Sequence, residues 1–260
     1  MSPLHADLER ITASAGFDVS VAWRHSNGQS GTIAEQTPMP AASLIKVPVA
    51  MTLAAEVSQG HLDATRIQTI ESIEKCGGTG ILEDLFDNHA QLTLGQLSHL
   101  MLAASDNLAT NILFDVLGQD LVSRWCRAAN LMSTHVNRLM MDVEKIQQGI
   151  DNLTSPVDMT ACLMSLFRSA SNPSANPYRA VLSSMLRQQH RNGLPNGSFT
   201  ADPLRIANKT GSFDSYEHDA ALFISSDHAI AITVMTAGAS TKGDALQVMN
   251  RIGNAVASHL

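Results

Sequence analysis

The sequence has no apolar run long enough to cross a membrane, no basic cluster and a low aromatic content of 4%. Its longest apolar stretch, residues 229–237, is typical of a buried strand, because a membrane helix needs roughly 20 residues. A net charge of −7 does not fit a nucleic-acid-binding surface. Residues 1–7 lack the basic and apolar segments of a signal peptide. We therefore expect a protein that binds neither nucleic acid nor membrane, and that is cytoplasmic or a mature exported form.

Cysteine and histidine are present, but not in the spacings of a metal site. Cys76, Cys126 and Cys162 are odd in number and lack metal-ligand spacing, which predicts buried thiols. The 10 histidines include no His-x-x-x-His pair. The sequence therefore predicts no metal and no cofactor.

The chain of 260 residues, 44% of them hydrophobic, can bury a sizeable core in one domain or two closely joined ones. Its two ends have strand-like patterns and the middle, residues 43–193, has a helical pattern. Strands are predicted at 17–24, 31–36, 204–212, 218–226 and 229–237, and a last helix at 243–260. This segregation predicts one antiparallel sheet built from both chain ends, with terminal helices packed on it.

Ser43 and Lys46 are the first candidate for catalysis. Small residues precede Ser43 and an apolar helical pattern follows it, so the serine is predicted at a helix start, where backbone N–H groups are unpaired. Lys46, three residues later, lies on the same helix face and could take the serine proton if its pKa were lowered. The helix N-terminus could also stabilise an oxyanion. The alternative is a capping serine followed by an ordinary helical lysine.

Two further motifs favour the catalytic interpretation. Residues 105–107 read Ser-Asp-Asn between two helical patterns, and residues 209–212 read Lys-Thr-Gly-Ser in a strand-like segment. With Ser-x-x-Lys before them, this trio resembles class A β-lactamases and penicillin-binding proteins over nearly the whole chain. The resemblance implies an α+β, serine β-lactamase-like fold. It would comprise a sheet domain of residues 1–40 and 195–260 and an all-α domain of residues 41–194, with the active site at their junction.

The resemblance also implies a role for each matching residue. Ser43 would attack a carbonyl and become acylated, and Lys46 would share in activating it. Ser105 would pass a proton to the leaving nitrogen. Asn107 would bond the substrate amide and Lys46.

The strand-like motif would bind the other end of the substrate. Lys209 and Thr210 would hold a substrate carboxylate, and Gly211 would let the substrate backbone approach the strand. The N–H groups of Ser43 and Ser212 would form the oxyanion hole. The alternative for Lys209 is a solvated lysine on an edge strand.

The chain departs from the family in the segment that follows Arg138. Class A β-lactamases carry a glutamate five residues after this arginine, followed by a Pro-x-Leu-Asn continuation, and that glutamate orients the water that clears the acyl-enzyme. Here the position is Val143, flanked by Asp142 and Glu144, and the continuation is absent. Glu144 is the candidate catalytic carboxylate if the loop is rewired. Otherwise it is a solvated carboxylate or a partner of Arg138.

We therefore expect a monomeric serine hydrolase acting on a small-molecule substrate through an acyl-enzyme on Ser43. The leading reaction is β-lactam hydrolysis. The alternatives are an esterase or D-Ala-type peptidase on the same fold, or a β-lactam-binding sensor that is acylated and stays so.

Overall fold

A computed structural model describes residues 2–34, 36–70, 76–85, 89–172, 174, 176–197, 204–226 and 228–260. The α-helices are α1 Pro3–Ala13, α2 Lys46–Ser58, α3 Leu82–Leu85, α4 Leu94–Ala103, α5 Asn107–Leu117, α6 Gln119–Ala128, α7 Val143–Gln147, α8 Pro156–Ala170, α9 Asn176–Leu186 and α10 Lys242–Ala257. The strands are β1 Asp18–His25, β2 Ser30–Ile33, β3 Met39–Pro40, β4 Ile67–Ile70, β5 Ala90–Thr93, β6 Leu153–Thr154, β7 Arg205–Phe213, β8 Tyr216–Ile224 and β9 Ala229–Ala237. Short 3₁₀ helices cover Ala42–Ile45 and Leu194–Gly197.

The main sheet has five strands in the order β2-β1-β9-β8-β7, and every neighbouring pair is antiparallel. The central strand β9 is buried along nearly its whole length, as its uninterrupted apolar sequence predicts. From the N-terminal end of the chain, β1 pairs with β9 on one side, and β8 pairs with it on the other, while β2 and β7 are the edge strands. The predicted α+β fold, with an antiparallel sheet built from both chain ends, is confirmed.

Helices cover both faces of this sheet. On one face, α1 and α10 pack through residues such as Leu8 and Val256 against strand residues that include Phe223. On the other face, α8 packs on the strands. The Thr160 hydroxyl lies 3.0 Å from the Ala22 carbonyl oxygen, to which it can donate, and 2.9 Å from Thr233 Oγ1, from which it can accept. The buried hydroxyl of Thr160 thus has hydrogen-bond partners on two strands. These contacts fix the position of α8 along the sheet.

Several local predictions need correction. The middle of the chain is not wholly helical, because β4 pairs with β5 and β3 pairs with β6. Residues 42–45 form a 3₁₀ turn and α2 begins only at Lys46. The sequence also predicts a tight turn at residues 227–228 and a loop at residues 172–176. Residues 173, 175 and 227 of these segments lie outside the described residues.

The sequence at residues 155–158, Ser-Pro-Val-Asp, resembles a capping box at the start of α8, and this box is only half formed. Ser155 accepts from the Asp158 N–H at 3.2 Å. The Asp158 carboxylate instead accepts from the Ser133 N–H at 2.7 Å and from Thr134 Oγ1 at 2.9 Å. Asp158 therefore ties the start of α8 to the preceding loop.

The division into domains at residues 40/41 and 194/195 stays a prediction. No helix among the described residues combines the length and the apolar character needed to span a membrane. The same residues hold no group of His, Cys, Asp or Glu side chains suited to a metal ion.

Candidate active site

Ser43 lies in the 3₁₀ turn that precedes α2, beside the edge strand β7. Its Oγ is 3.1 Å from Lys46 Nζ, so the pairing predicted from their spacing is present although the turn is 3₁₀ rather than α-helical. Strand β7 passes close behind the turn. A Cβ at Gly211 would lie 3.1 Å from the Ala41 carbonyl oxygen and 3.3 Å from Ala42 Cβ. Glycine at this position therefore allows the strand to lie against the serine turn.

Lys46 is fully buried and its amine is surrounded by neutral oxygens. Besides Ser43 Oγ, Nζ lies 2.6 Å from the Ser105 carbonyl oxygen, 3.2 Å from Ser105 Oγ and 2.7 Å from Asn107 Oδ1. Burial, and then repulsion by Lys209, lower the pKa of Lys46 well below its usual value, while Asp106 opposes the change weakly. Among the described residues, no carboxylate forms a hydrogen bond or an ion pair with Lys46 Nζ. This environment favours the neutral amine, the form that can accept a proton.

The Ser-Asp-Asn segment owes its shape to a strained serine and a capping aspartate. Ser105 has a φ of 57°, which turns the chain between α4 and α5. Asp106 caps α5 by accepting from the Ala109 N–H at 2.8 Å. The same carboxylate accepts from the N–H groups of Ile81 and Leu82 at 2.7 and 2.8 Å. The structural and catalytic interpretations of this motif are therefore compatible.

Asn107 is held by residues 77–79. Its Nδ2 donates to the Gly77 carbonyl oxygen at 3.0 Å, and its N–H donates to the Thr79 carbonyl oxygen at 2.8 Å. Gly78 has a φ of 75°, and a Cβ there would lie 2.6 Å from Asn107 Nδ2. Glycine is therefore required both by the backbone conformation and by the close approach.

Lys209 reaches the same serine hydroxyl from β7. It is fully buried, and its Nζ donates to Ser105 Oγ at 2.9 Å and to the Thr210 carbonyl oxygen at 2.9 Å. Burial lowers the pKa of Lys209 to about 7, and the nearby Asp219 opposes this change. Burial also raises the pKa of Asp219 to about 7. Lys209 is therefore a buried member of the site, and the solvated-lysine alternative does not apply.

One cavity joins the parts of the site. It is lined by Ser43, Ser105, Thr210 and Ser212 together with residues from α10, β8 and the segment before β7. These further residues include His190, Glu217, His218, Asp219 and Lys242, and Thr79 from the loop before α3 also lines the cavity. The three predicted motifs therefore meet around one cavity, beside a buried amine and a serine hydroxyl.

Comparison with known proteins identifies the family. A model described as the β-lactamase enzyme family matches residues 3–260. The chain belongs to this family. No curated protein sequence matches it.

Solved structures agree with this family fold. A β-lactamase from Chitinophaga pinensis DSM 2588 is 22% identical, with 99% of each chain covered and a TM-score of 0.87. A β-lactamase from Sphaerobacter thermophilus DSM 20745 is 22% identical, covering 97% of this chain and 94% of that one, with a TM-score of 0.85. PBP-A is 20% identical, covering 100% of this chain and 96% of that one, with a TM-score of 0.84. At these identities the likeness concerns the fold.

The loop that departs from the β-lactamase pattern is closed by its own contacts. Arg138 is nearly buried, and its guanidinium binds Asp151 Oδ1 at 2.8 Å through NH2 and at 3.0 Å through Nε. The Asn152 side chain accepts from the Arg138 N–H at 3.1 Å. Asn111 holds the Met140 backbone, accepting at 2.8 Å and donating at 3.1 Å. Arg138 thus pairs with Asp151 and not with Glu144.

Glu144 is not brought to the Ser43 cavity. It lies exposed in the first turn of α7, which Asp142 caps by accepting from the Lys145 N–H at 3.1 Å. Val143 is also exposed, at 57%. None of the cavity-lining residues comes from the loop 138–152. The structure thus joins Ser43, Lys46, Ser105, Asn107 and Lys209, and separates Glu144 from them.

Sequence reasoning missed two groups of residues near the site. One is the glycine-rich segment 77–80. Its Gly-Gly-x-Gly pattern can be read from the sequence but lies outside the Ser-x-x-Lys, Ser-Asp-Asn and Lys-Thr-Gly motifs. The other is the pair Glu217 and Lys242, which lies in the cavity although its members come from β8 and α10. No local sequence signal joins these two residues.

Proposed function

We propose that this β-lactamase-family chain is a serine hydrolase that opens β-lactam rings through an acyl-enzyme on Ser43. The observation that carries the proposal is the 3.1 Å contact between Lys46 Nζ and Ser43 Oγ. It is made by a lysine whose burial lowers its pKa. A neutral amine at hydrogen-bond distance is what a serine nucleophile requires of its base.

In the proposed acylation, Lys46 takes the hydroxyl proton of Ser43 as Oγ bonds to the β-lactam carbonyl carbon. The C–N bond of the ring breaks, and Ser105 gives its proton to the leaving nitrogen. Ser105 recovers a proton from Lys46, whose Nζ is 3.2 Å from Ser105 Oγ. The proton taken from Ser43 thus reaches the nitrogen, and the bonds balance.

The remaining motif residues are proposed to bind the substrate. The backbone N–H groups of Ser43 and Ser212 would stabilise the oxyanion. The Asn107 side chain would bond the substrate amide, and Lys209 with Thr210 would attract a carboxylate. Gly211 would act indirectly, because the missing side chain lets β7 lie against the turn that carries Ser43.

An esterase or D-Ala-type peptidase is the second candidate, and one observation favours it. No carboxylate from the loop 138–152 lines the cavity. Activation of the deacylating water would then fall to Lys46, and the acyl group of a bulky β-lactam would be cleared slowly. A sensor that stays acylated is the limiting case.

A time course of intact protein mass with benzylpenicillin tests the proposal and ranks the candidates. We expect one added penicilloyl group on the unmodified protein and none on Ser43→Ala. Loss of the adduct with continued substrate consumption identifies a β-lactamase. A persistent adduct, with faster turnover of a small thioester, identifies the esterase or peptidase. Persistence with no turnover of either substrate identifies the sensor. Equal labelling of both proteins contradicts the acyl-enzyme proposal.

A further inference from the structure

Three side chains at the open end of the cavity form a cluster that the proposed chemistry does not use. Ser212 Oγ lies 2.6 Å from Glu217 Oε1 and 2.9 Å from Lys242 Nζ. Lys242 Nζ also lies 3.0 Å from Glu217 Oε1. All three residues line the cavity that contains Ser43. We refer to Ser212, Glu217 and Lys242 as the paired-charge subsite.

The chemistry of the two charged groups fixes the direction of the Ser212 hydroxyl. A carboxylate only accepts hydrogen bonds and an ammonium group only donates them. Ser212 must therefore donate its proton to Glu217 and accept from Lys242. The hydroxyl has a single proton, so none is left for a ligand while Glu217 holds it.

A substrate carboxylate beside Ser212 would therefore find a poor site. The serine proton is used, the charge of Lys242 is already balanced by Glu217, and the Glu217 carboxylate would repel a second anion. Lys209 and Thr210 still attract the carboxylate in the proposed function, but Lys209 is fully buried and donates to Ser105 and Thr210 rather than to Ser212. The repulsion by Glu217 therefore works against that attraction.

Structural stabilisation does not account for the cluster. The Lys242 side chain is 55% exposed, and ion pairs with so exposed a partner contribute little to stability. Lys242 is also the first residue of α10, where the helix dipole disfavours a cation. Its exposed amine nevertheless faces the cavity and keeps a third N–H for a ligand.

We propose that the paired-charge subsite sets substrate specificity, with Glu217 disfavouring a carboxylate next to Ser212 and Lys242 favouring it. The substrate class that fits best carries a neutral group with an N–H donor at this position, such as an amide. The inference deepens the proposed function and rests on it for the substrate, but binding alone can test it.

The experiment measures equilibrium binding to the Ser43→Ala protein, in which acylation is removed. The probes are benzylpenicillin and its methyl ester, which differ in the carboxylate charge. Glu217→Gln and Lys242→Met are each added to this background. Glu56→Gln is the matched control, because Glu56 pairs with His61 and does not line the cavity.

We expect Glu217→Gln to tighten benzylpenicillin binding about tenfold and Lys242→Met to weaken it about tenfold, as for a partly exposed charged hydrogen bond. The dissociation constant of the methyl ester should change less than about twofold in each variant. In the control variant, the dissociation constants of both probes should also change less than about twofold. The inference would be overturned if a variant changed the binding of both probes equally, or if Glu217→Gln did not tighten benzylpenicillin binding. It would also be overturned if neither probe bound. Acylation of the Ser43 protein is measured separately. A charge-dependent response with no acylation would therefore support the subsite and reject the proposed function.

Discussion

Lys46 and Lys209 approach the same hydroxyl: their Nζ atoms lie 3.2 Å and 2.9 Å from Ser105 Oγ. Both lysines are fully buried, and burial disfavours a charged ammonium group. The pKa of each lysine is therefore lowered, which favours the neutral amine. A serine between two amines of this kind can exchange protons with either at little energetic cost. This arrangement is the basis of the following predictions.

Gly78→Ala should slow acylation, because the new Cβ would displace Asn107 from Lys46. Gly77→Ala is a matched control, since Gly77 has a φ of 77°, close to the 75° of Gly78, and a Cβ there meets nothing within 4 Å. Both variants should lose about 1 kcal/mol of stability from backbone strain. We expect only Gly78→Ala to lower the acylation rate by tenfold or more, roughly the effect of one lost hydrogen bond to a charged group. If Gly78→Ala and Gly77→Ala are acylated at equal rates in a stopped-flow assay, the displacement of Asn107 does not affect acylation.

Lys209→Ala should lower kcat/KM far more for substrates that carry a carboxylate than for neutral esters. Its positive form attracts an anion through Ser105 and Thr210, and hydrogen bonds to charged groups contribute roughly 1.5–3 kcal/mol. We expect a loss of about tenfold or more in kcat/KM for the charged substrate relative to the ester. Lys145→Ala, which removes a half-buried lysine outside the cavity, is the control. Parallel losses for both substrates would remove the anion-binding role.

Glu144→Gln tests whether the rewired loop supplies the deacylating base. A general base contributes about 10²–10⁴-fold, so its removal would slow deacylation markedly. Because Glu144 is exposed and outside the cavity, we expect deacylation to stay within a few-fold of the unmodified protein. Asp142→Asn, which weakens the cap of α7, is compared in the same single-turnover assay. Marked slowing by Glu144→Gln alone would make Glu144 the base and require the loop to move.

Asp219→Asn should change how stability depends on pH. Burial raises the pKa of Asp219 from 3.8 to about 7, so between these values the folded protein binds a proton that the unfolded chain has lost. The unmodified protein should therefore lose stability as pH rises from 4 to 7, by an amount on the order of 2–4 kcal/mol from this group.

Urea unfolding from pH 4 to pH 7 measures this effect, with Asp120→Asn as the exposed control. The variant Asp219→Asn should have a flatter profile than the unmodified protein. The control should keep the original slope. Identical slopes in all three proteins would mean that Asp219 titrates normally in the fold.

The parts of this protein that could be predicted from sequence are those encoded locally. The strand predicted at 229–237 matches β9 because an uninterrupted apolar run is typical of a strand buried on both faces. The helical pattern of residues 108–117 predicts a helix that ends at Gly118, and Gly118 does end α5, with a φ of 76°. The motif residues of the site could be named because each motif is short and contiguous.

Other features depend on contacts between distant segments. The short pairs β4–β5 and β3–β6 carry little periodicity and form because tertiary packing places them together. Glu217 and Lys242 meet only when β8 and α10 are assembled. Glu144 could be named as a candidate from its position after Arg138, but only the pairing of Arg138 with Asp151 reveals how the loop closes.

The central claim is that Ser43 is the acylated residue, and peptide mapping after reaction with benzylpenicillin tests it most directly. Tryptic cleavage should give a peptide of residues 25–46 that contains Ser26, Ser30 and Ser43. Fragmentation should place the added penicilloyl mass on Ser43, and the peptide from Ser43→Ala should remain unmodified. The account would be contradicted if the penicilloyl mass were found on another residue. It would also be contradicted if Ser43→Ala formed as much adduct as the unmodified protein.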